Sequence, residues 1–332
     1  MVDNGGMRLD GAPDATDWLD HLLATPVAPR LVRFKTEAGR ELFGEGQSGD
    51  HFLVVLDGEA DVQRHGAHIA TVGPGSVLGE LALLTGDPHS ATVIARTPID
   101  SYRGNANDFM ELLDYDPVRE HFTHLAAARL AENAEPVPFT GPDGFVGELR
   151  PLLPTDRSAY IELLGKLSPA SRRKRFFSAA LPSERLIEYL LHVDFVDHFA
   201  WVILDTSITP HAGCGIARFI RNASDPHSAE AAFSVIDAMQ GRGLGTIMMG
   251  ALAVAADTAG ISTLTAEVLD DNMPMRKVFQ KAKATWSRPE PGVVKAVFAV
   301  ADAEAILDPA LKSALAKSTH GIGMTAATAL RL

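Results

Sequence analysis

Only one cysteine, Cys214, occurs in the 332 residues of the chain. A disulfide needs two cysteines and a cysteine-based zinc site needs more, so one chain can form neither. Scarce cysteine is typical of proteins in a reducing compartment, and we expect a cytoplasmic protein. The sequence also lacks a cluster of histidines with the spacing of metal ligands, and we expect no metal site.

Long apolar runs and an excess of positive charge are missing too. No run approaches the roughly 18 uninterrupted apolar residues of a membrane-spanning helix, and the polar start MVDNGGMRLDGAPDATD lacks the apolar core of a signal peptide. The net charge is −12, whereas affinity for nucleic acid comes mostly from cations that neutralise phosphates. We therefore expect neither a membrane nor a nucleic acid as partner.

The chain is long for a single hydrophobic core, which predicts two domains. Residues 18–30 include a short helical piece. From Leu31 to Tyr102, Val, Ile and Thr recur at period two between Gly and Asp corners, which predicts a small antiparallel β-barrel or roll. Residues 107–133 have helical periodicity, and we expect Pro117 to split that helix.

The second half alternates predicted strands and helices, which indicates a mixed α/β domain. Residues 133–144 are rich in Pro, Gly and polar residues and are the predicted linker. The predicted fold is therefore an α+β two-domain protein. A β-roll with flanking helices occupies residues 18–132 and a mixed α/β domain residues 145–301. Residues 302–332 are an Ala-rich tail, which we expect to be helical and packed on that domain.

The strongest motif is QGRGLG, Gln240 to Gly245, between a predicted strand and a predicted helix. Its glycines allow a tight turn in which successive N–H groups converge on an anion, and the helix start adds partial positive charge. This is a pattern for a pyrophosphate. It lacks the Gly-Lys-Ser/Thr of a Walker loop, and its spacing and late position differ from a dinucleotide fingerprint.

QGRGLG resembles the pyrophosphate motif of GNAT acetyltransferases, Gln/Arg-x-x-Gly-x-Gly/Ala, over a region of about residues 145–301. The resemblance implies acetyl-CoA as donor, with its phosphates on the amides of residues 241–246 and its pantetheine arm along Phe233–Val235. It also places Asn272 near the thioester and Lys281 near a CoA phosphate. The cofactor-binding candidates are Phe233, Ser234, Val235, Gln240, Gly241, Arg242, Gly243, Leu244, Gly245, Thr246, Asn272 and Lys281. One departure is Ala284-Thr285, where the family usually has Gly-Phe.

Acetyl transfer to an amine needs a base, because a lysine amine with a pKa of ~10.4 is neutral in roughly one molecule in 2,500 at pH 7. Glu230 opens the strand that leads to QGRGLG, and the resemblance implies that it is the general base. The alternative is an edge-strand carboxylate that faces water. Asp237 is interpreted as a turn residue, and Cys214 as a buried small hydrophobe rather than an acyl carrier. A backbone amide near Val235 is expected to meet the charge on the thioester oxygen.

The segment LSPASRRKRFF resembles bacterial protein lysine acetyltransferases, which share an LSP-S-x-x-x-RFF pattern. Its basic run, Arg172 to Arg175, could hold an acidic substrate surface or the 3′-phosphate of CoA, or it could be a solvated helix face. His198, beside an aromatic strand, is a secondary site candidate. The alternative for His198 is a hydrogen-bonded structural residue.

The first half resembles cyclic-nucleotide-binding domains over about residues 18–130, through the turn glycines Gly46, Gly49 and Gly58 and through GELALLTGDPHSATV. In the family the second stretch binds the ribose and the cyclic phosphate. The cyclic-nucleotide candidates are Gly79, Glu80, Leu81, Ala82, His89 and Ser90. His89 stands where the family has arginine, so cyclic AMP could bind weakly, bind with a pH dependence, or no longer bind.

The two resemblances in this order match the actinobacterial cyclic-AMP-regulated protein lysine acetyltransferases. They imply an acetyltransferase for protein lysines, acyl-CoA synthetases among them, controlled by the β-roll. The alternative is a small-amine acetyltransferase with a ligand-free roll. A transcription regulator is disfavoured, because no helix-turn-helix follows residue 133 and the charge is −12. The family's blocking segment corresponds to residues 160–180, where Lys166 could imitate a substrate lysine.

Overall fold

The computed structural model describes residues 17–330. The chain divides between Phe122 and Thr123 into two compact units. No helix in the described range combines the length and the apolar character that crossing a bilayer requires.

The N-terminal unit consists of two four-stranded antiparallel sheets with strand orders β1-β8-β3-β6 and β2-β7-β4-β5. Its strands are β1 (Val32–Thr36), β2 (Glu41–Phe43), β3 (His51–Asp57), β4 (Ala60–Arg64), β5 (Ala67–Val72), β6 (Val77–Leu78), β7 (Thr92–Ala95) and β8 (Ile99–Asn105). Side chains from both sheets, among them Phe43, Leu53 and Val93, form one buried cluster. The predicted antiparallel β-roll is confirmed.

Helices flank the roll at α1 (Asp17–Leu23), α2 (Glu80–Thr85) and α3 (Ala106–Leu112), and α4 (Asp116–Asn133) leads onward. Pro117 is the second residue of α4, where its missing N–H would have had no intrahelical acceptor. The helical stretch is therefore interrupted beside Pro117, as predicted.

The C-terminal unit is built on one eight-stranded sheet of order β15-β16-β14-β13-β12-β11-β10-β9. Its strands are β9 (Val137–Thr140), β10 (Val146–Pro151), β11 (His198–Asp205), β12 (Ala212–Asn222), β13 (Asp225–Val235), β14 (Thr263–Leu269), β15 (Thr285–Glu290) and β16 (Val293–Ala299). Only β13 and β14 run parallel, and the other neighbours are antiparallel. The predicted mixed α/β architecture is confirmed.

The helices of this unit are α5 (Arg157–Gly165), α6 (Pro169–Phe176), α7 (Glu184–Leu191), α8 (Leu244–Thr258), α9 (Met273–Lys281), α10 (Val300–Glu304) and α11 (Pro309–Leu330). The apolar α8 is buried along most of its length, and Trp201 on β11 donates its indole N–H to the carbonyl of Ala251 (3.0 Å).

One segment differs from the sequence-based expectation, and another agrees with it. The predicted linker contains β9, whose Val137 and Phe139 are buried. Pro138 fits there because an edge strand has an unpaired side that needs no N–H donor. The C-terminal tail forms α10 and α11, and Leu315 and Ile322 of α11 lie in the main hydrophobic core.

Candidate active site

A cavity opens in the sheet where β13 and β14 separate. The two strands pair at only three positions, from Ser228 opposite Thr263 to Glu230 opposite Thr265. Beyond Glu230, β13 continues to Val235 without a partner on this side. A cavity of about 290 Å³ fills the gap, lined by both strands, by the start of α8 and by α6 and α9.

The unpaired edge of β13 offers backbone hydrogen-bonding groups to a ligand. The N–H of Ile236 donates to the carbonyl of Cys214 on the β12 side (3.0 Å). Residues of an antiparallel strand alternate in the neighbour they bond, so Phe233 and Val235 direct their backbone groups into the gap. An extended ligand with amide groups, such as the pantetheine arm, can pair there as an added strand would.

The QGRGLG loop forms the other end of the cavity. Gly241 and Gly243 have φ of +77° and +83°, and Gly243 is the N-cap of the 15-residue α8. A Cβ on Gly243 would also lie 3.1 Å from the ring of Pro142. The first amides of α8 are without intrahelical acceptors, and they carry the positive end of the helix dipole. The loop therefore suits phosphate groups.

Ten of the twelve predicted cofactor-binding residues line the cavity, together with Glu230. The ten are Phe233, Ser234, Val235, Gln240, Gly241, Gly243, Leu244, Gly245, Thr246 and Asn272. Lys281 lies beside them, and its Nζ donates to Oγ1 of Thr246 (3.0 Å). Arg242 differs, because its side chain pairs with Asp143 and packs over the ring of Phe145.

A hydrogen-bond network that the sequence did not indicate fastens α6 to this loop. The carboxylate of Asp237 accepts bonds from the Ser168 N–H (2.8 Å) and hydroxyl (2.6 Å) and from the Ser171 hydroxyl (3.0 Å). Gln240 donates to Ser171 Oγ and to the carbonyl of Val235, both at 3.0 Å. Partial burial acts to raise the pKa of Asp237, but the bonds from Ser168 and Ser171 outweigh it and lower the pKa. Asp237 therefore stays ionised and positions α6, besides being the turn residue we expected.

Glu230 is exposed at the point where the two strands separate. Its side chain shares a face of the sheet with Thr265, and by strand alternation with Glu267 and Ser234. Glu267 also lines the cavity. The sequence analysis missed Glu267, because nothing in its local pattern separates it from any other strand carboxylate.

The basic run on α6 has no single role. Arg172 donates to the carbonyls of Leu167 (2.6 Å) and Ala179 (2.9 Å), and Arg173 pairs with Asp271 (3.3 Å). Lys174 and Arg175 line the cavity instead. A fully solvated helix face is thus the wrong interpretation for these two residues.

Lys166 does not imitate a substrate in this structure. Its Nζ forms an ion pair with Glu162 one helical turn away (2.6 Å), and Lys166 does not line the cavity. Phe177, which adopts a left-handed backbone conformation, is the residue beyond α6 that lines it. No sequence pattern indicated Phe177, because its position depends on how α6 ends.

Cys214 and His198 are buried away from the cavity. The thiol of Cys214 contacts the carbonyl of Ile203 (3.5 Å), and burial raises its pKa to about 12. A thiol that stays protonated is a poor nucleophile, so Cys214 is unsuited to carry an acyl group. The Nε2 of His198 faces Nη1 of Arg218 (2.9 Å), and its Nδ1 faces the carbonyl of His192 (3.0 Å).

His198 is a neutral structural residue. Arginine can only donate, so Nε2 of His198 must be the acceptor and Nδ1 must carry the proton. Burial and the charge of Arg218 lower the pKa of His198 to about 4.

This pKa predicts an acid-sensitive fold. In the unfolded chain His198 has a pKa of about 6.5, so between pH 6.5 and 4 it binds a proton that the folded residue does not bind. The free energy of unfolding therefore decreases as the pH falls from about 6.5 towards 4. At pH 5 the expected loss is about 2 kcal/mol. We expect the free energy of unfolding of His198→Gln, measured in urea, to decrease by about 2 kcal/mol less than that of the wild type between pH 7 and pH 5. The exposed His192 provides the control, and a His192→Gln variant that matches His198→Gln would contradict the assignment.

The predicted nucleotide-binding residues surround α2 in the N-terminal unit. Gly79, with a φ of +87°, is the N-cap of α2, and Glu80 and Ala82 are buried while Leu81 is half-buried. A Cβ on Gly49 would lie 2.4 Å from that of Ala82, so the turn before β3 needs a glycine to approach α2. Ser90 is exposed, and its carbonyl accepts a bond from Arg64 (3.2 Å).

His89 is buried within the roll rather than exposed as a free cation. Its ring centroid lies 4.7 Å from that of Phe43, and its backbone bonds to Gln47 and Gly46. Burial lowers its pKa, and His51 adds to this, while the carboxylates of Glu80 and Asp50 oppose it. His89 is therefore mostly neutral at pH 7. Among residues 17–330, no group of three or more His, Cys, Asp and Glu side chains is arranged to hold a metal ion.

Comparison with known proteins agrees with both units. The model of the cyclic nucleotide-binding domain family matches residues 33–116, and that of the acetyltransferase (GNAT) domain matches residues 148–285. The acetyltransferase Pat of Mycolicibacterium smegmatis is 35% identical over 273 residues, which are 81% of each chain. The cAMP-dependent protein kinase regulatory subunit of Yarrowia lipolytica is 35% identical over 80 residues, 24% of this chain and 21% of that one.

A solved structure extends this comparison to nearly the full chain. A variant of the cAMP-binding acyltransferase from Mycobacterium smegmatis is 29% identical, with a TM-score of 0.50, and the match covers 94% of this chain and 98% of that one. The identity to Pat over four fifths of both chains, and the two domain matches in the same order, establish the family. The chain belongs to the family of the acetyltransferase Pat, and it is a GNAT acetyltransferase that also carries a cyclic-nucleotide-binding domain.

Proposed function

We propose that this chain transfers the acetyl group of acetyl-CoA to the ε-amine of a lysine in a protein, and that Glu230 is the general base. The observation that carries the proposal is the position of Glu230. It is exposed at the last paired position of β13 and β14, where the cavity begins. A carboxylate there can take the proton of an incoming ammonium, directly or through one water molecule.

The residues around the cavity fit coenzyme A. The start of α8 suits its pyrophosphate, Lys281 and Thr246 lie beside that helix start, and the free edge of β13 suits its pantetheine arm. Bound acetyl-CoA supplies an activated acetyl group as a thioester. The amide of Val235 is directed into the gap, where it can donate to the thioester oxygen.

We further propose that the β-roll binds a cyclic nucleotide and that this binding controls the transferase. The domain match and the cyclic-AMP-binding relatives support an effector of this class. Acyl-CoA synthetases are the first protein substrates to test, because the family resemblance implies them. The cytoplasm is the compartment that we propose, on the basis of the single cysteine.

Labelled acetyl-CoA separates the possible acceptors. We expect the full chain, incubated with a bacterial extract, to transfer label to lysines of a few proteins, and also to a purified acyl-CoA synthetase. Cyclic AMP should change the rate. Label confined to small amines would contradict a protein substrate and would favour the small-amine enzyme. An acetylation rate that is the same with and without saturating cyclic AMP would contradict the proposed regulation.

A further inference from the structure

One face of α6 runs along the cavity from the phosphate end towards Glu230. Ser171, Lys174 and Arg175 line the cavity and share this face. Ser171 is fastened to Asp237 and Gln240 at the loop. Arg175 lies one helical turn further along α6, about 6 Å away, and the charge of Glu230 acts on it. The helix therefore places Arg175 beyond Ser171, between the loop and Glu230.

The guanidinium of Arg175 has no hydrogen-bond or ion-pair partner in the described part of the chain, although it is half-buried. The neighbouring arginines are all engaged. Arg172 binds two carbonyls, Arg173 pairs with Asp271, and Arg218 donates to Leu190, His198 and Tyr160. Arg175 differs, because its guanidinium packs over the ring of Phe176 (4.8 Å) and no acceptor among the described residues takes its N–H donors.

A second buried cation, Arg218, lies close to Arg175. Arg175 also lines a small second cavity beneath α5, together with Arg218, Tyr160 and Ser234. Arg218 is fully buried, and the partners it donates to are uncharged. Burial, together with the charge of Arg218, lowers the pKa of Arg175 to about 10, so Arg175 stays protonated at neutral pH.

The carboxylates that line the cavity leave this charge unpaired. Glu230 and Glu267 share the sheet face, and neither forms an ion pair with Arg175 or Lys174 in the described structure. A partly buried cation without a counter-ion is costly, and an anion from a ligand would remove that cost. Arg175 borders Ala232 and Ser234 of β13, so it lies between Glu230 and the loop.

We propose that Arg175 is a specificity-determining residue that binds a carboxylate of the acceptor beside the amine that Glu230 deprotonates. The guanidinium fork matches a carboxylate with two parallel hydrogen bonds. This proposal rests on the proposed function. In a protein substrate, the carboxylate is that of an acidic residue next to the acetylated lysine.

Paired peptides test the proposal on the full chain. One peptide carries glutamate next to the lysine, and its partner carries glutamine there. We expect the wild type to prefer the glutamate peptide by ten-fold or more in kcat/KM, mostly through KM, because a charged hydrogen bond is involved. Arg175→Gln should abolish this preference, so that the ratio of kcat/KM for the two peptides is about one, and Arg175→Lys should keep part of it.

The controls separate specificity from damage to the fold. Arg173→Gln changes the neighbouring cation, which lies outside the cavity lining, and should keep the preference. Arg175→Gln should leave the affinity for acetyl-CoA nearly unchanged, and because the ratio of kcat/KM for the two peptides is compared within each variant, a general loss of activity does not affect the test. If that variant is unstable, the peptide preference of Arg175→Lys is compared with that of the wild type instead. An equal kcat/KM for both peptides in the wild type, or a preference that survives in Arg175→Gln, overturns the proposal.

The outcome also distinguishes this proposal from the proposed function. If the wild type acetylates no peptide, the protein substrate is wrong, and free lysine is compared with lysinamide. A preference for free lysine that Arg175→Gln removes would support a carboxylate site for a small acceptor. Equal rates for the two amines would overturn the carboxylate site as well.

Discussion

Glu230→Gln is expected to lower kcat for acetyl transfer by roughly 100- to 10,000-fold. Glutamine keeps the shape of the side chain but cannot accept a proton from the ammonium of the acceptor. Because Glu230 is exposed, without an ion pair in the described structure, the exchange should leave the fold intact. The measurement is single-turnover acetylation together with calorimetric binding of acetyl-CoA, whose affinity should change little.

Glu267→Gln is the matched control for this experiment. Glu267 lines the same cavity on the neighbouring strand and is also exposed. It lies beyond the last paired position, two residues past Thr265, so we expect its exchange to change kcat by less than about ten-fold. A large loss of kcat in Glu267→Gln, together with an active Glu230→Gln variant, would indicate that Glu267 on β14 is the base.

His89→Arg is expected to raise the affinity of the chain for cyclic AMP by roughly ten- to more than 100-fold. Arginine adds a permanent charge and a two-pronged donor, whereas neutral histidine offers one donor. Burial holds the pKa of His89 below its usual value, so the wild-type site contributes little positive charge at pH 7. Calorimetric titration of both proteins with cyclic AMP measures the difference.

The same site predicts how affinity depends on pH. A bound phosphate favours protonated His89, so wild-type affinity should rise as the pH falls from 8 to about 6. His89→Arg should show a weaker dependence, and His89→Gln should lose the part that His89 contributes. Because Glu80, Asp50 and His51 influence this group, the comparison among the three proteins is decisive rather than a single profile. Tight binding of cyclic AMP by the wild type without pH dependence would show that binding of the cyclic phosphate does not depend on residue 89.

Much of the fold could be predicted from the sequence, because its signals are local. Period-two alternation and turn glycines are properties of neighbouring residues, and they indicated the β-roll. Segments whose state depends on distant partners were harder. Pro138 made β9 look like a linker, because a single sequence does not show that the strand lies at a sheet edge.

The candidate site divides in the same way. The phosphate loop was predictable, since Gly241 and Gly243 permit the left-handed turn that precedes α8. The hydrogen bonds between Ser168 and Asp237 join residues that are 69 positions apart, and no local sequence pattern indicates such a pair. The sequence also grouped Arg172 to Arg175 as one basic run, whereas the helix sends these side chains to different partners.

The sequence by itself determined the two architectures, their order in the chain and the glycine turn before α8, which follow from backbone stereochemistry and contiguous motifs. Glu230 as candidate base came from the family resemblance. The tertiary structure alone decided that β13 and β14 separate after Glu230, that Asp237 fastens α6 to the loop, and that Arg175 lines the cavity without an ion pair among the described residues. The reason is physical: pairing, burial and ion-pair distance depend on which elements pack together, and packing joins residues that the chain keeps far apart.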